Sequence, residues 1–109
     1  MINELIQEFK HILEMLEEKR NVLQIQQSML NEYINKNKKF AMEINQIHKA
    51  FGDNYKQYCQ NSTEVVRIAV NEVATTLQNV NIAINNINDE IFKVNRKITE
   101  LSKLSEIMR

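Results

Sequence analysis

One glycine, Gly52, falls almost at the midpoint of a 109-residue chain that contains no proline. Proline breaks a helix interior and glycine weakens it, so both halves are free to run as uninterrupted helix and only one place favours a reversal. Glycine also takes most easily the left-handed conformation that closes a helix, and Asp53 or Asn54 just after it can accept the orphan amide hydrogens that open the next one. The chain therefore reads as a single all-α domain over residues 1–109, a long antiparallel two-helix hairpin. Helix 1 is expected over about residues 2–50, the turn at Phe51, Gly52, Asp53 and Asn54, and helix 2 over about residues 55–108.

The apolar residues of the first arm keep a seven-residue register. Ile2, Phe9, Leu16, Leu23, Leu30, Ile44 and Phe51 fill one core position, and Leu5, Ile12, Tyr33, Phe40 and Ile47 fill the other, the pattern of helices packed side by side. Lys19, Gln26 and Asn37 interrupt it. Met15, Val22 and Met29 recur just before the first core position, while Ile6 and Leu13 early and Ile34 and Ala41 late widen the stripe on its other side. A stripe wider than two positions in seven implies more than one neighbour.

The second arm is more regular. Val70, Leu77, Ile84, Ile91 and Ile98 alternate with Val66, Val73, Val80, Ile87, Val94 and Leu101, Met108 follows, and only Ser105 breaks the register. Branched residues at both core positions lean toward an assembly of four helices rather than two. Asn71, Asn79, Asn81, Asn85, Asn86, Asn88 and Asn95 make the arm poor in helix formers, so packing must hold it. Near its start, Asn61-Ser62-Thr63-Glu64 has the form of a capping box, leaving two readings: a helix restarting at Asn61, or one continuous from about residue 54 with Cys59 in the core. Continuity is preferred because it gives arms of nearly equal length.

Fourteen basic and fourteen acidic residues balance to a net charge of zero, which disfavours a nucleic-acid binder. The cluster Lys36, Lys38, Lys39 reads as a solvated helix face. The single cysteine excludes an internal disulfide. No run of about 18 apolar residues offers a membrane span, and the amphipathic, acidic start is unlike a secretory signal, so a cytoplasmic protein is expected. Glu8 and His11 have the Glu-x-x-His spacing of di-iron bundles, but it occurs once, without the second copy and the further inward glutamates such a site needs. His48 and Cys59 have no ligand partners at metal spacing. With no phosphate loop, no nucleophile elbow and almost no loop in which to build a site, no enzyme, cofactor or metal is expected.

The aromatic-glycine turn Phe51-Gly52 at the midpoint of a chain of this length resembles the WXG family of small helical-hairpin proteins handled by bacterial type VII secretion. Phe51 stands for the family's Trp with no residue between it and Gly52. No Tyr-x-x-x-Asp/Glu export signal follows, since Cys59 and Ser62 lie four residues after Tyr55 and Tyr58. The heptad-rich first arm, the aromatic and basic stretch from Tyr33 to Phe40, and the short turn look closer to the small α-helical partner proteins encoded beside LXG toxins in Gram-positive bacteria. That resemblance implies a non-enzymatic, chaperone-like targeting adaptor. Such a protein packs on the helical N-terminal LXG domain of a toxin, alone or beside a second small helical protein, and stays cytoplasmic or is co-exported with its client.

On this reading the hairpin is held by Ile84, Ile87, Ile91 and Val94 against Phe9, Ile12, Leu16 and Leu23. Met15, Val22, Met29, Ile82 and Phe92 lie off that seam and are the expected partner-binding residues, completing a four-helix bundle with the client. Ile25 and Ile68 are further off-seam apolar residues. Two rival expectations stand beside this one: a self-associating structural coiled coil forming a four-helix dimer, and an export chaperone of the flagellar or type III kind.

Overall fold

The computed structural model describes all 109 residues. It is all-α: helix α1 spans Ile2–Phe51, a short 3-10 turn covers Asp53–Tyr55, and helix α2 spans Lys56–Ile107. The reversal falls at the glycine. Gly52 takes φ 75° and ψ −163°, which is not the expected left-handed helical well but the extended positive-φ region that essentially only glycine enters. Its amide still donates to the His48 carbonyl at 2.9 Å, completing the last turn of α1, and its own carbonyl accepts from the Tyr55 amide at 3.2 Å. The expected side-chain cap from Asp53 or Asn54 is replaced by this backbone closure, since no side chain caps the turn at Gly52.

Helix α2 then runs without a break. Gln57 donates to the Asn61 side-chain oxygen at 3.0 Å, Ser62 and Thr63 lie half-buried, and Glu64 pairs forward with Arg67, whose Nε donates at 2.9 Å. The residues that resembled a capping box are thus engaged inside a helix. Three threonines, Thr75, Thr76 and Thr99, return their hydroxyls to carbonyls four residues back, a local bond that offers little to helix stability. Tertiary packing is what holds an arm of this composition.

Contacts divide the hairpin into two units, each pairing a segment of α1 with one of α2: a terminal unit of Met1–Ile25 and Asn81–Arg109, and a turn unit of Gln26–Val80. In the terminal unit Ile6, Ile84 and Ile91 are buried. Phe9, Leu13, Leu16 and Leu23 from α1, with Ile87, Val94, Ile98 and Leu101 from α2, are half-buried around them. In the turn unit the buried cluster is Ile44, Cys59 and Val66, packed on by Ala41 and Val70. The Cys59 thiol donates to the Ile44 carbonyl at 3.6 Å.

On α2 the two rows that its heptads specify are buried or half-buried from Val66 to Leu101, while Met108, next in the register, lies past the helix and is exposed. On α1 one row differs, and at the end of the other Phe51, also expected in the core, is 62% exposed. Leu5, Ile12, Tyr33, Phe40 and Ile47, expected in the seam, are exposed, and the residues one position later, Ile6, Leu13, Arg20, Gln27, Ile34, Ala41 and His48, take their place. Ile12 is therefore not among the residues holding the hairpin. A one-position change of row corresponds to a rotation of α1 by roughly 50° about its axis. Packing explains the choice. Ala41 lets α2 approach closely enough for Cys59 and Val66 to close on Ile44, whereas Phe40 and Tyr33 are bulky aromatics and the tyrosine hydroxyl would need a buried partner. Neither row escapes polar residues, but Arg20 keeps its stem along the seam and sends its guanidinium out, donating to the Asn88 side-chain oxygen at 3.1 Å. No buried side-chain polar atom lacks a hydrogen-bond partner.

Candidate interaction surface

The rotation of α1 leaves an apolar row in solvent. In the terminal unit it consists of Leu5, Ile12, Met15 and Val22; in the turn unit, of Met29, Tyr33, Phe40 and Ile47, with exposures from 37% at Ile47 to 64% at Met29. Neighbours in the row are three, four or seven residues apart, so within each unit they lie on one side of α1. They stand at about a right angle to the buried row around the helix. Met15, Val22 and Met29, the partner-binding residues expected on α1, fall in this row. The five residues that join them are hidden from heptad reading because the heptads assign them to the seam.

The other two expected residues lie elsewhere. Ile82 is 51% exposed and Phe92 68%, and both lie on the outer side of α2. Phe92 follows Asn88 by one helical turn, and Asn88 receives the Arg20 bond, so Phe92 is on the Arg20 side of the terminal pair. Met15 and Val22 project roughly 140–160° away from Arg20 around α1. The structure thus puts Met15 and Val22 on one side of α1, and Ile82 and Phe92 apart from them on the outer side of α2. Ile25 and Ile68 are exposed as well. Asn81, Asn88 and Asn95 are exposed, and the Asn88 side chain accepts the Arg20 hydrogen bond.

The titratable groups make few commitments. Glu64 and Arg67 form an exposed ion pair; the guanidinium hydrogen bond holds the Glu64 carboxyl below its ordinary range and pushes Arg67 up. His48 Nε2 stands 3.5 Å from the Asp53 carboxylate, in the last turn of α1, where a cation is favoured. Glu8 and His11 are both exposed, and no group of three or more His, Cys, Asp or Glu side chains is gathered as a metal site would need. No helix is long and apolar enough to cross a membrane.

The amount of uncovered surface is itself informative. The chain exposes 8511 Å², against roughly 6,300 Å² for a globular monomer of 12.9 kDa. A two-helix hairpin has more surface than a compact globule of the same mass. The fold and this surface together define a helical hairpin with an uncovered apolar face. Comparison with protein-family models, with curated proteins and with solved structures returns no match.

Proposed function

We propose that the protein is a non-enzymatic adaptor whose exposed α1 row docks a helical partner, completing a four-helix bundle. The observation that carries this is the row itself, apolar along both units and left outside a seam that buries only six hydrophobic residues. A row of long, flexible methionines, branched aliphatics and two aromatics suits another helix, because it offers ridges for a second set of ridges and grooves. Ile82 and Phe92 supply a separate, smaller apolar surface on α2.

The resemblance of the Phe51-Gly52 turn and the Tyr33–Phe40 stretch to LXG-toxin partner proteins suggests the client: the helical N-terminal domain of such a toxin, bound in the cytoplasm for delivery to type VII secretion. The test is co-expression with the N-terminal domain encoded by a neighbouring LXG reading frame. Wild type should co-purify with it at a fixed ratio, and Met15→Glu with Met29→Glu should abolish the complex while the isolated chain stays helical. Undiminished binding by that double variant overturns the docking row. A chain that never binds such a domain, but binds the tail of a flagellar or type III client, would replace this reading with the export-chaperone one.

A further inference from the structure

The turn unit, Gln26–Val80, has two unlike sides. A groove of about 400 Å³ runs between the arms on one of them, lined by Asn45, His48, Cys59, Gln60, Thr63 and Glu64. Asn45 follows the buried Ile44 and Gln60 follows the buried Cys59, so residues one position after a seam residue lie on this side, about 100° around the helix. Residues one position before a seam residue lie on the other side, which carries the exposed Tyr33, Phe40, Ile47, Tyr58 and Val65.

Basic residues bracket the groove. At its end nearest the turn, Lys49 stands one helical turn beyond Asn45, and Lys56 two turns before Thr63. At its far end, Lys38 stands two turns before Asn45, and Arg67 one turn beyond Thr63. All four are exposed, and none of the three lysines enters an ion pair. The two carboxylates on this side are already engaged, Glu64 by Arg67 and Asp53 by His48 at 3.5 Å. Lys38 to Lys49 and Lys56 to Arg67 each span eleven positions, roughly 16 Å of helix.

We propose that this groove binds an acidic segment of a partner polypeptide in extended form, its carboxylates reaching a basic pair at each end and its backbone crossing Asn45, Gln60 and Thr63. An extended chain covers that distance in about five residues. Positive charge left without partners on the protein is complementary to such a segment. The Asn45 and Gln60 amides carry both donors and an acceptor, so they can meet either backbone group. Two other occupants fit less well. An amphipathic helix needs an apolar strip, and the only apolar lining here is Cys59, which is 4% exposed. Single-stranded nucleic acid is held by stacking its bases on aromatics, and those of the two arms lie on the opposite side. In the free protein the Glu64 carboxylate holds the place on Arg67 that a partner's carboxylate would take, so binding exchanges one ion pair for another. The groove is separate from the α1 docking row, and the proposal stands whichever partner that row takes.

Fluorescence anisotropy on the full chain at low salt tests this, with a labelled peptide of about eight residues that alternates glutamate and serine. The peptide should bind, and its glutamine counterpart should not. Lys49→Gln with Lys56→Gln, and separately Lys38→Gln with Arg67→Gln, should each weaken binding about fivefold or more, as for two exposed charge pairs lost. Glu64→Gln frees Arg67 and should tighten binding about twofold. Lys36→Gln with Lys39→Gln removes as much charge from parts of α1 that face away from the groove, and should change the affinity by less than about twofold. All these positions are exposed, and circular dichroism of each variant checks that the helices persist. No peptide binding at about millimolar concentration, equal binding of the glutamine peptide, or equal weakening by the Lys36 and Lys39 variant overturns the proposal. So does a single-stranded oligonucleotide of the same length that binds more tightly through the same lysines. Met15→Glu with Met29→Glu should leave peptide binding intact, so failure of the docking row and failure of the groove are read separately.

Discussion

The two arms of the hairpin meet along one seam, yet they carry different amounts of information about it. Helix α2 has a single apolar stripe of mostly branched residues, and the residues its heptads specify, from Val66 to Leu101, are the ones buried or half-buried. Helix α1 has nearly three adjacent apolar rows, and the structure buries only two of them. A helix with one stripe specifies its orientation; a helix with a surplus leaves it to the partner. The surplus leaves a row of α1 apolar residues in solvent.

Mutations can break that comparison. The largest effect is expected at Ile44, which is 2% exposed: Ile44→Ala should cost roughly 2–5 kcal/mol in denaturant unfolding, enough to unfold a chain with a thin core. Next, Leu13→Ala and Ile12→Ala separate the two candidate rows of α1. At concentrations where the chain is a monomer, Leu13→Ala should lose about 2 kcal/mol and Ile12→Ala well under half of that; a larger loss at Ile12 would return the seam to the row that the heptads suggested. Gly52→Ala meets no steric obstacle, since no neighbouring atom lies within 4 Å of the place an added β-carbon would take. It does force φ 75° on a residue that resists it, and should lower stability by about 1–3 kcal/mol. Its cost should be confined to the turn unit, visible as faster amide exchange around Ile44 and Cys59 with little change around Ile84.

The smallest effect is expected at Glu64. Its pKa is lowered by Arg67, so the pair contributes stability above the ordinary carboxylate range, and that contribution is lost as the pH falls through the lowered value. Glu64→Gln should flatten this acid dependence and leave the unfolding midpoint at neutral pH almost unchanged, because both partners are exposed. A large neutral-pH loss would mean that the start of α2 depends on its surface charges more than on the Cys59 and Val66 packing.

Much of the fold was legible. A lone glycine in a proline-free chain locates the reversal, and two heptad patterns give two helices, because backbone breakers and hydrophobic period act locally. The continuity of α2 through Asn61 was also legible, through the nearly equal arms it gives, and it carries Cys59 into the core. The orientation of α1 was not. Ile6, Leu13, Ile34 and Ala41 were visible as a widening of the stripe, but choosing between Phe40 and Ala41 requires knowing how closely α2 approaches Ile44, which depends on residues fifteen or more positions away. The same limit governs the candidate surface. Met15, Val22 and Met29 could be singled out because they fell outside any seam, whereas Leu5, Ile12, Tyr33 and Phe40 became surface only once the rotation was known. That Phe92 and Met15 project to different sides follows from the Arg20 to Asn88 bond, which no periodicity encodes.

The only thiol in the chain, Cys59, is 4% exposed and tied to the backbone of the opposite helix. It therefore serves as a built-in clock for the hairpin. A thiol reagent can reach it only when the arms part near the turn, so the rate of alkylation under native conditions reports the frequency of that opening. Compared with and without a bound partner, the same rate would tell whether docking on one side of α1 stiffens the closure on another, with no probe added to the protein.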